Sequence, residues 1–160
     1  MEDKVYFTRR GLSKLHKEIK ELEANLQRLQ SQVSYVSDVG GDKDHDNASY
    51  EMLVIDIRGV NHRIASAYEN LNKATLVDSP TNLNRVNIGT CVKVIQDGKE
   101  KIWNIVGFGE SDPNSGMLAY NTPLASLIMG KEEGDTVIAD IAGKKTKIEV
   151  LEISKGGFID

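Results

Sequence analysis

The most constraining feature of the sequence is a heptad pattern of apolar residues in its first half. From Leu12, apolar side chains recur at alternating steps of three and four residues, and the same spacing resumes at Tyr50. A seam with this period is typical of helices that pack along one narrow stripe, as in a coiled coil. The spacing therefore predicts two helices, over residues 9–37 and 48–76, each about 40 Å long at ~1.5 Å per residue.

The two predicted helices have similar lengths and a short connection, which favours antiparallel packing within one chain. The expected product is a coiled-coil hairpin over residues 1–78, and a seam satisfied internally favours a monomer. Gly59 interrupts the second helix at a cost of roughly 1 kcal/mol relative to alanine, and a bend is one explanation. A spacer or dimerisation coil is the general alternative for such a pattern.

The connection between the predicted helices, residues 38–47, is acidic. Residues 37–47 contain four aspartates and one lysine, whereas residues 4–36 carry seven Lys or Arg against three Glu. Carboxylates packed on a small tip repel one another, although Asp46 or Asn47 would suit the N-cap of the second helix. The pattern indicates a tip that carries carboxylates into a partner's site, and the role of His45 among them is open.

Composition limits the other possibilities. The chain has 160 residues, 39% of them hydrophobic and 28% charged, and a net charge of −4 that disfavours electrostatic coating of nucleic acid. The single cysteine, Cys91, excludes an internal disulfide and a multi-thiolate metal site. Since neither a signal peptide nor a bilayer-spanning run is recognisable, a soluble cytoplasmic protein with no membrane partner is expected.

The second half, residues 79–160, reads as a small α+β domain. Turn signals separate apolar runs that predict an antiparallel sheet, and one short helix is expected from Pro123 to Met129. Leu124, Leu127, Ile128 and Met129 would mix core packing with a docking surface, and the sequence leaves open which residue serves which role. The predicted strands cover residues 86–88, 91–96, 102–106, 117–120, 136–141 and 146–153.

Several motifs resemble the Gre family of bacterial transcript cleavage factors. The segment Gly41–Tyr50 resembles the family's Gly-Asp-x-x-Glu-Asn-Ala-x-Tyr pattern, and Asn121–Asp135 resembles its Ser-Pro-Ile-Ala…Leu-x-Gly-Lys-x-x-Gly-Asp block. Phe7–Leu15 and Trp103–Gly107 agree with the family as well. The fold that the resemblance implies is a coiled-coil finger followed by a globular domain similar to the FK506-binding proteins.

The resemblance implies a factor that binds RNA polymerase and inserts its finger into the secondary channel. Its tip carboxylates would help to hold a Mg²⁺ ion, so that the polymerase cleaves the 3′ end of backtracked nascent RNA. The chain itself would then be no enzyme, and Mg²⁺ would be held only when polymerase is bound. Two-metal phosphodiester hydrolysis needs oxygen ligands for ions about 3.5–4 Å apart, and one or two protein carboxylates suffice for Mg²⁺.

The tip departs from the family pattern at its central pair of acids. Asp46 stands at the family's glutamate position, and Lys43 stands where the family has aspartate. Asp42 is the first choice for the second ligand and Asp44 is its competitor. This departure leaves open an alternative, a non-cleaving regulator that blocks the same channel.

Other residues receive supporting roles. Gly41, Asn47 and Tyr50 are expected to shape the tip. A basic face for the RNA 3′ end, or an ordinary solvated helix face, is expected at Arg9, Arg10, Lys14 and Lys17. The candidates for docking on polymerase are Pro123, Leu124, Ile128 and Met129.

Overall fold

The computed structural model describes residues 3–39 and 48–157, without the side chains of residues 36–39. Two compact units are present: Ser13–Lys73, and Met1–Leu12 together with Ala74–Asp160. The sequence places the boundary at residue 78 and assigns the opening residues to the hairpin. Neither long helix, nor any other helix in the described part of the chain, has the length and hydropathy needed to cross a membrane.

The first unit is built from two helices, α1 (Arg9–Val39) and α2 (Ala48–Asn72), as the heptad pattern predicts. Leu22, Leu29 and Val60 are buried between them. The half-buried seam residues packed against this cluster are Leu26, Leu53, Ile57 and Ile64.

Residues farther along α1 contact residues that come earlier in α2. Glu23 accepts a hydrogen bond from Tyr68, whereas Leu29 lines a groove with Ile55 and Val60. The helices are therefore antiparallel, and the predicted hairpin is confirmed for the described residues. The helix predicted to reach residue 76 ends at Asn72, four residues earlier.

Two short strands account for that early end. Strand β1 (Val5–Phe7) pairs in parallel with β2 (Ala74–Leu76), with Phe7 opposite Leu76. The sequence did not predict either strand, because three residues are too few to show a period. Phe7 is buried, and its ring meets that of Phe108 edge-on with 5.6 Å between centroids. These contacts explain why the opening residues group with the C-terminal half.

A five-stranded sheet in the order β5-β4-β3-β7-β6 forms the centre of the second unit. All pairings are antiparallel except that between β4 and β5, which is parallel, so the prediction of a wholly antiparallel sheet is corrected at this edge. The strands are β3 (Thr90–Gln96), β4 (Lys99–Val106), β5 (Met117–Ala119), β6 (Thr136–Ile141) and β7 (Lys144–Lys155).

The predicted strand over residues 86–88 is wrong. Val86 and Ile88 are buried in the core, but the Val86 N–H donates to the Lys131 carbonyl, and the segment pairs with no strand among the described residues. An apolar run bounded by turns can fill a core from a loop as well as from a strand, because periodicity does not separate the two cases.

One short helix, α3 (Pro123–Ile128), packs against the sheet as predicted. The Thr122 hydroxyl accepts a hydrogen bond from the Ala125 N–H at 3.3 Å and caps the helix. The predicted α+β class, a helical hairpin followed by a mostly antiparallel sheet with one short α-helix among the described residues, is confirmed; a 3-10 turn, Pro113–Ser115, precedes β5. The sheet core consists of Val86, Ile88, Val92, Val94, Ile105, Leu118, Ala125, Ile128, Ile148, Val150 and Ile153.

Candidate functional site

The acidic residues predicted to bind metal lie outside the described residues. These acidic residues are Asp42, Asp44 and Asp46. Gly41 and Asn47, which are expected to shape the tip, lie outside the described residues as well. The structure describes the helices that flank them in the sequence, and the roles assigned to these five residues stay predictions.

Tyr50, the remaining residue assigned to the tip, lies in the first turn of α2. Its side chain is 43% exposed. Position 50 follows the heptad spacing, but the described seam becomes buried farther along α2, at Val60 and Ala67. Tyr50 therefore lies at the open end of the described seam.

A hydrogen bond ties the two helices together near the opposite end of the hairpin. The Tyr68 hydroxyl of α2 donates to Glu23 Oε1 of α1 at 2.5 Å. Because Glu23 accepts the phenolic proton and its negative charge disfavours a phenolate, the pKa of Tyr68 is raised above its usual 10.0. The bond joins exposed side chains of the two helices, outside the cluster of buried seam residues.

The basic residues predicted to contact RNA are all exposed on the first turns of α1. Arg9 Nη2 lies 3.7 Å from Asp78 Oδ1, and Lys17 Nζ lies 3.8 Å from Glu21 Oε1. Ion pairs at such exposure contribute little, so these side chains can exchange partners at low cost. Arg10 and Lys14 complete the set. The geometry allows a phosphate contact and equally an ordinary solvated face.

The four residues assigned to polymerase docking have different environments. Pro123 is exposed, whereas Leu124 and Met129 are half-buried and pack against the sheet core. Ile128 is 0% exposed and presents no surface to a partner. Its assignment to docking is therefore corrected: Ile128 is a core residue, and the exposed parts of the other three remain available.

A buried carboxylate at the start of α1 was missed by the sequence reasoning. Glu110 is 5% exposed, and its Oε2 accepts hydrogen bonds from the Thr8 hydroxyl at 2.6 Å and the Gly107 N–H at 3.0 Å. Thr8 acts as the N-cap of α1, since its Oγ1 accepts from the Gly11 N–H at 3.1 Å. A carboxylate beside a helix N-terminus is favoured by the helix dipole.

Gly11 explains how the carboxylate fits so close to the helix. A Cβ at this position would lie 2.9 Å from both Cδ and Oε2 of Glu110. The only sequence signal for this arrangement is a glycine in the first turn of a predicted helix, which does not indicate its distant partner. Within residues 3–39 and 48–157, no group of three or more His, Cys, Asp or Glu side chains is arranged to hold a metal ion.

Comparison with known proteins identifies the class of protein that carries these features. Residues 80–155 match the family described as "Transcription elongation factor, GreA/GreB, C-term". Transcription elongation factor GreA of a Nitratiruptor species is 31% identical over 96% of this chain and 94% of its own length. That of Nautilia profundicola is 33% identical over 92% and 91%, respectively.

The chain therefore belongs to the GreA/GreB family of transcription elongation factors. Among solved structures, the GreA factor homolog 1 (Gfh1) protein of Thermus thermophilus is 17% identical, with 94% of this chain and 99% of that chain covered and a TM-score of 0.45. The membership agrees with the resemblance noted from the sequence motifs.

Proposed function

We propose that this protein binds RNA polymerase, inserts its helical hairpin into the secondary channel and stimulates Mg²⁺-dependent cleavage of the 3′ end of backtracked nascent RNA. In this proposal the chain is not itself an enzyme. It supplies carboxylate ligands to a metal ion at the polymerase's catalytic centre, and the cleavage rescues arrested complexes.

The observation that carries the proposal is the hairpin formed by α1 and α2. The helices pack antiparallel along one apolar seam, and the sequence that connects Val39 to Ala48 contains three aspartates within eight residues. Two antiparallel helices about 10–12 Å in diameter each are narrow enough to enter a channel that excludes a globular domain. Family membership supports RNA polymerase as the partner.

The chemistry of the donor set fits the proposed metal. Carboxylate oxygens are the ligands that Mg²⁺ prefers, and the ion keeps several waters of its own. When bound, the ion lowers the pKa of a coordinated water and so favours attack on the phosphodiester. Asp46 and one of Asp42 and Asp44 would orient the ion, and Arg9, Arg10, Lys14 and Lys17 would contact RNA phosphates.

A second function is favoured by the tip sequence itself. Lys43 replaces the aspartate of the family pattern, and aligning the pattern on Gly41 and Asp42 leaves one extra residue before Asn47. A tip with altered acid spacing would occupy the channel without completing the metal site. In that case the protein inhibits polymerase and releases no RNA fragments.

An RNA-release assay separates the two functions. Backtracked polymerase with 3′-labelled RNA is incubated with Mg²⁺ and either the wild-type protein or Asp46→Ala, Asp42→Ala or Asp44→Ala. We expect the wild-type protein to release short 3′ fragments and Asp46→Ala to lower the rate on the order of 100-fold, as removal of a preorganised charge at a reacting centre does.

Asp140→Ala provides the matched control, because Asp140 is an exposed aspartate on β6 in the other unit. It should cleave like the wild type, and every variant should keep its affinity for polymerase. Full cleavage by all three tip variants would contradict the proposal. Slowed elongation without fragments from the wild-type protein would establish the inhibitory function, and fragments formed without polymerase would overturn both.

A further inference from the structure

A groove on the side of the hairpin is not used by the proposed tip chemistry. It has a volume of about 380 Å³ and lies between α1 and α2, with buried Leu29 and Val60 beneath it. Ile55, at its side, is 65% exposed. Gly59 of α2 lines the same groove and is exposed. The groove therefore combines an aliphatic floor with accessible helix backbone.

Gly59 has no structural explanation within the hairpin. Its φ is not in the left-handed range, and a Cβ added there would meet no atom within 4 Å. Glycine in a helix interior is unfavourable relative to alanine, and α2 continues without interruption from Ala48 to Asn72. Neither backbone conformation nor packing requires glycine at this position, and its missing side chain leaves the backbone of α2 accessible on the groove side. Glycine commonly marks positions where another molecule approaches the backbone closely.

The rim of the groove is cationic. Arg28 from α1 and Arg63 from α2 both line it and are exposed, against one carboxylate, that of Asp56. Arg28 Nη2 donates to Asn25 Oδ1 at 2.7 Å, which helps to orient its guanidinium. Two guanidinium groups beside an aliphatic floor match a ligand that has carboxylates next to an apolar side chain, because arginine pairs with carboxylates in a bidentate manner.

The lining favours a protein ligand over RNA. Single-stranded nucleic acids bind to sites where bases stack on aromatic side chains beside a cationic track. None of the side chains that line the described groove is aromatic, so the groove offers no surface on which a base can stack. An aliphatic side chain can instead pack on Leu29 and Val60, and its neighbouring carboxylates can meet Arg28 and Arg63.

We propose that the Gly59 groove binds an acidic segment of RNA polymerase, with an aliphatic side chain seated over Gly59 and flanking carboxylates paired with Arg28 and Arg63. The inference rests on the proposed function in that polymerase is the partner. It adds a contact on the side of the hairpin that contributes to affinity and is separate from the acids at the tip.

Gly59→Ala tests the groove in a way that separates binding from stability. The methyl group would occupy the position over Gly59 where the ligand's aliphatic side chain is proposed to sit, and we expect the affinity for nucleic-acid-free polymerase to fall at least about tenfold. The same change should raise the melting temperature, followed by circular dichroism at 222 nm, by about 2–4 °C, since alanine is the better helix former. Asn61→Ala is the matched control, an exposed helix position outside the groove, and should raise the melting temperature without weakening binding.

Arg63→Glu tests the charge of the rim. It should weaken binding to the same nucleic-acid-free polymerase at least about tenfold, whereas Arg58→Glu makes the same change in charge at an exposed α2 position outside the groove and should have a much smaller effect. Binding of both Gly59→Ala and Arg63→Glu with wild-type affinity overturns the inference. Unchanged affinity for free polymerase with weakened binding only to RNA-containing complexes also overturns it, in favour of RNA.

The proposal for the groove and the proposal for the tip are tested by different assays, so either one can be overturned without the other. If the wild-type protein stimulates cleavage while the groove variants bind like wild type, only the groove assignment is overturned. If the wild-type protein binds polymerase without stimulating cleavage and the groove variants bind more weakly, the cleavage proposal fails and the groove assignment is supported. If the wild-type protein does not bind polymerase, both are overturned.

Discussion

The two units of this protein build their cores in opposite ways. In the hairpin, Leu22, Leu29 and Val60 form a buried strip with solvent on most sides of each helix. In the sheet unit, residues such as Ile128, which is 0% exposed, are enclosed on all sides by strands and a helix. A narrow seam leaves most of the hairpin surface available for contacts with other molecules, whereas a closed core commits its apolar residues to folding.

The largest expected changes in the free energy of unfolding are for truncation of one large aliphatic side chain to alanine in each of the two cores. Ile148→Ala in the sheet core should lower the free energy of unfolding by about 3–5 kcal/mol, because the enclosed site cannot collapse around the cavity. Leu29→Ala in the hairpin should cost less, about 2–3 kcal/mol, since two helices can move together. Urea unfolding followed separately by helix signal and by Trp103 fluorescence measures both, and equal losses would contradict the contrast.

An intermediate effect is expected at the buried carboxylate of the sheet unit. Glu110→Ala leaves the Thr8 hydroxyl and the Gly107 N–H without their acceptor and should cost about 2 kcal/mol, in the range for hydrogen bonds to a charged group. Glu110→Gln keeps one acceptor oxygen and is the matched control, with a smaller loss in the same urea titration. Wild-type stability for Glu110→Ala would show that this polar cluster does not stabilise the unit.

The smallest effect is expected on the hairpin surface, at Tyr68. Because Glu23 raises the pKa of Tyr68 above its unfolded value of 10.0, their interaction stabilises the folded state below pH 10 and is lost as the pH rises through the higher folded pKa. Wild-type protein should therefore lose more stability than Tyr68→Phe in that alkaline range. Parallel pH dependences of the two melting temperatures would argue against the interhelical bond.

Local patterns in the sequence predicted much of the architecture. The three-and-four spacing predicts both long helices because burial on a helix repeats with the helix period. One of the turn signals between the apolar runs is Asp97-Gly98, a pair typical of β-hairpin turns, and both residues adopt the positive φ values, 51° and 80°, that such turns require. The helix expected to end at Met129 has its C-cap there, and the glycine that follows, Gly130, has a positive φ of 76°.

Pairings between distant residues escaped the same reasoning. The β1–β2 pair joins segments near positions 6 and 75, and the Thr8–Glu110 bond spans 102 residues. No periodic pattern connects such positions, because the residues next to each partner in the sequence do not indicate which distant residue it will contact. The division of the 123–129 helix between core and surface was also beyond the sequence, since Leu124 and Ile128 are similar side chains whose burial differs.

The candidate site divides along the same line. The metal-binding chemistry of the tip is predicted from the sequence alone, from four aspartates within residues 37–47, and it stays a prediction. The groove beside Gly59 was not readable, because the sequence shows only a glycine that weakens a helix. Only the structure shows that Gly59 lines the same groove as Arg28 of α1 and Arg63 of α2, and this arrangement is the basis of the proposed binding site.

The sequence by itself determined the two helices of the hairpin, the acidic character of the segment that connects them, the turns of the sheet and the family to which the chain belongs. Each of these depends on residues close together in the chain, where period, charge and turn propensity act locally. Tertiary structure alone decided the parallel strand pairs, the buried Glu110 beneath the start of α1, the burial of Ile128 and the open groove at Gly59. These features depend on which surfaces exclude water from one another, and that is settled only when distant segments pack together.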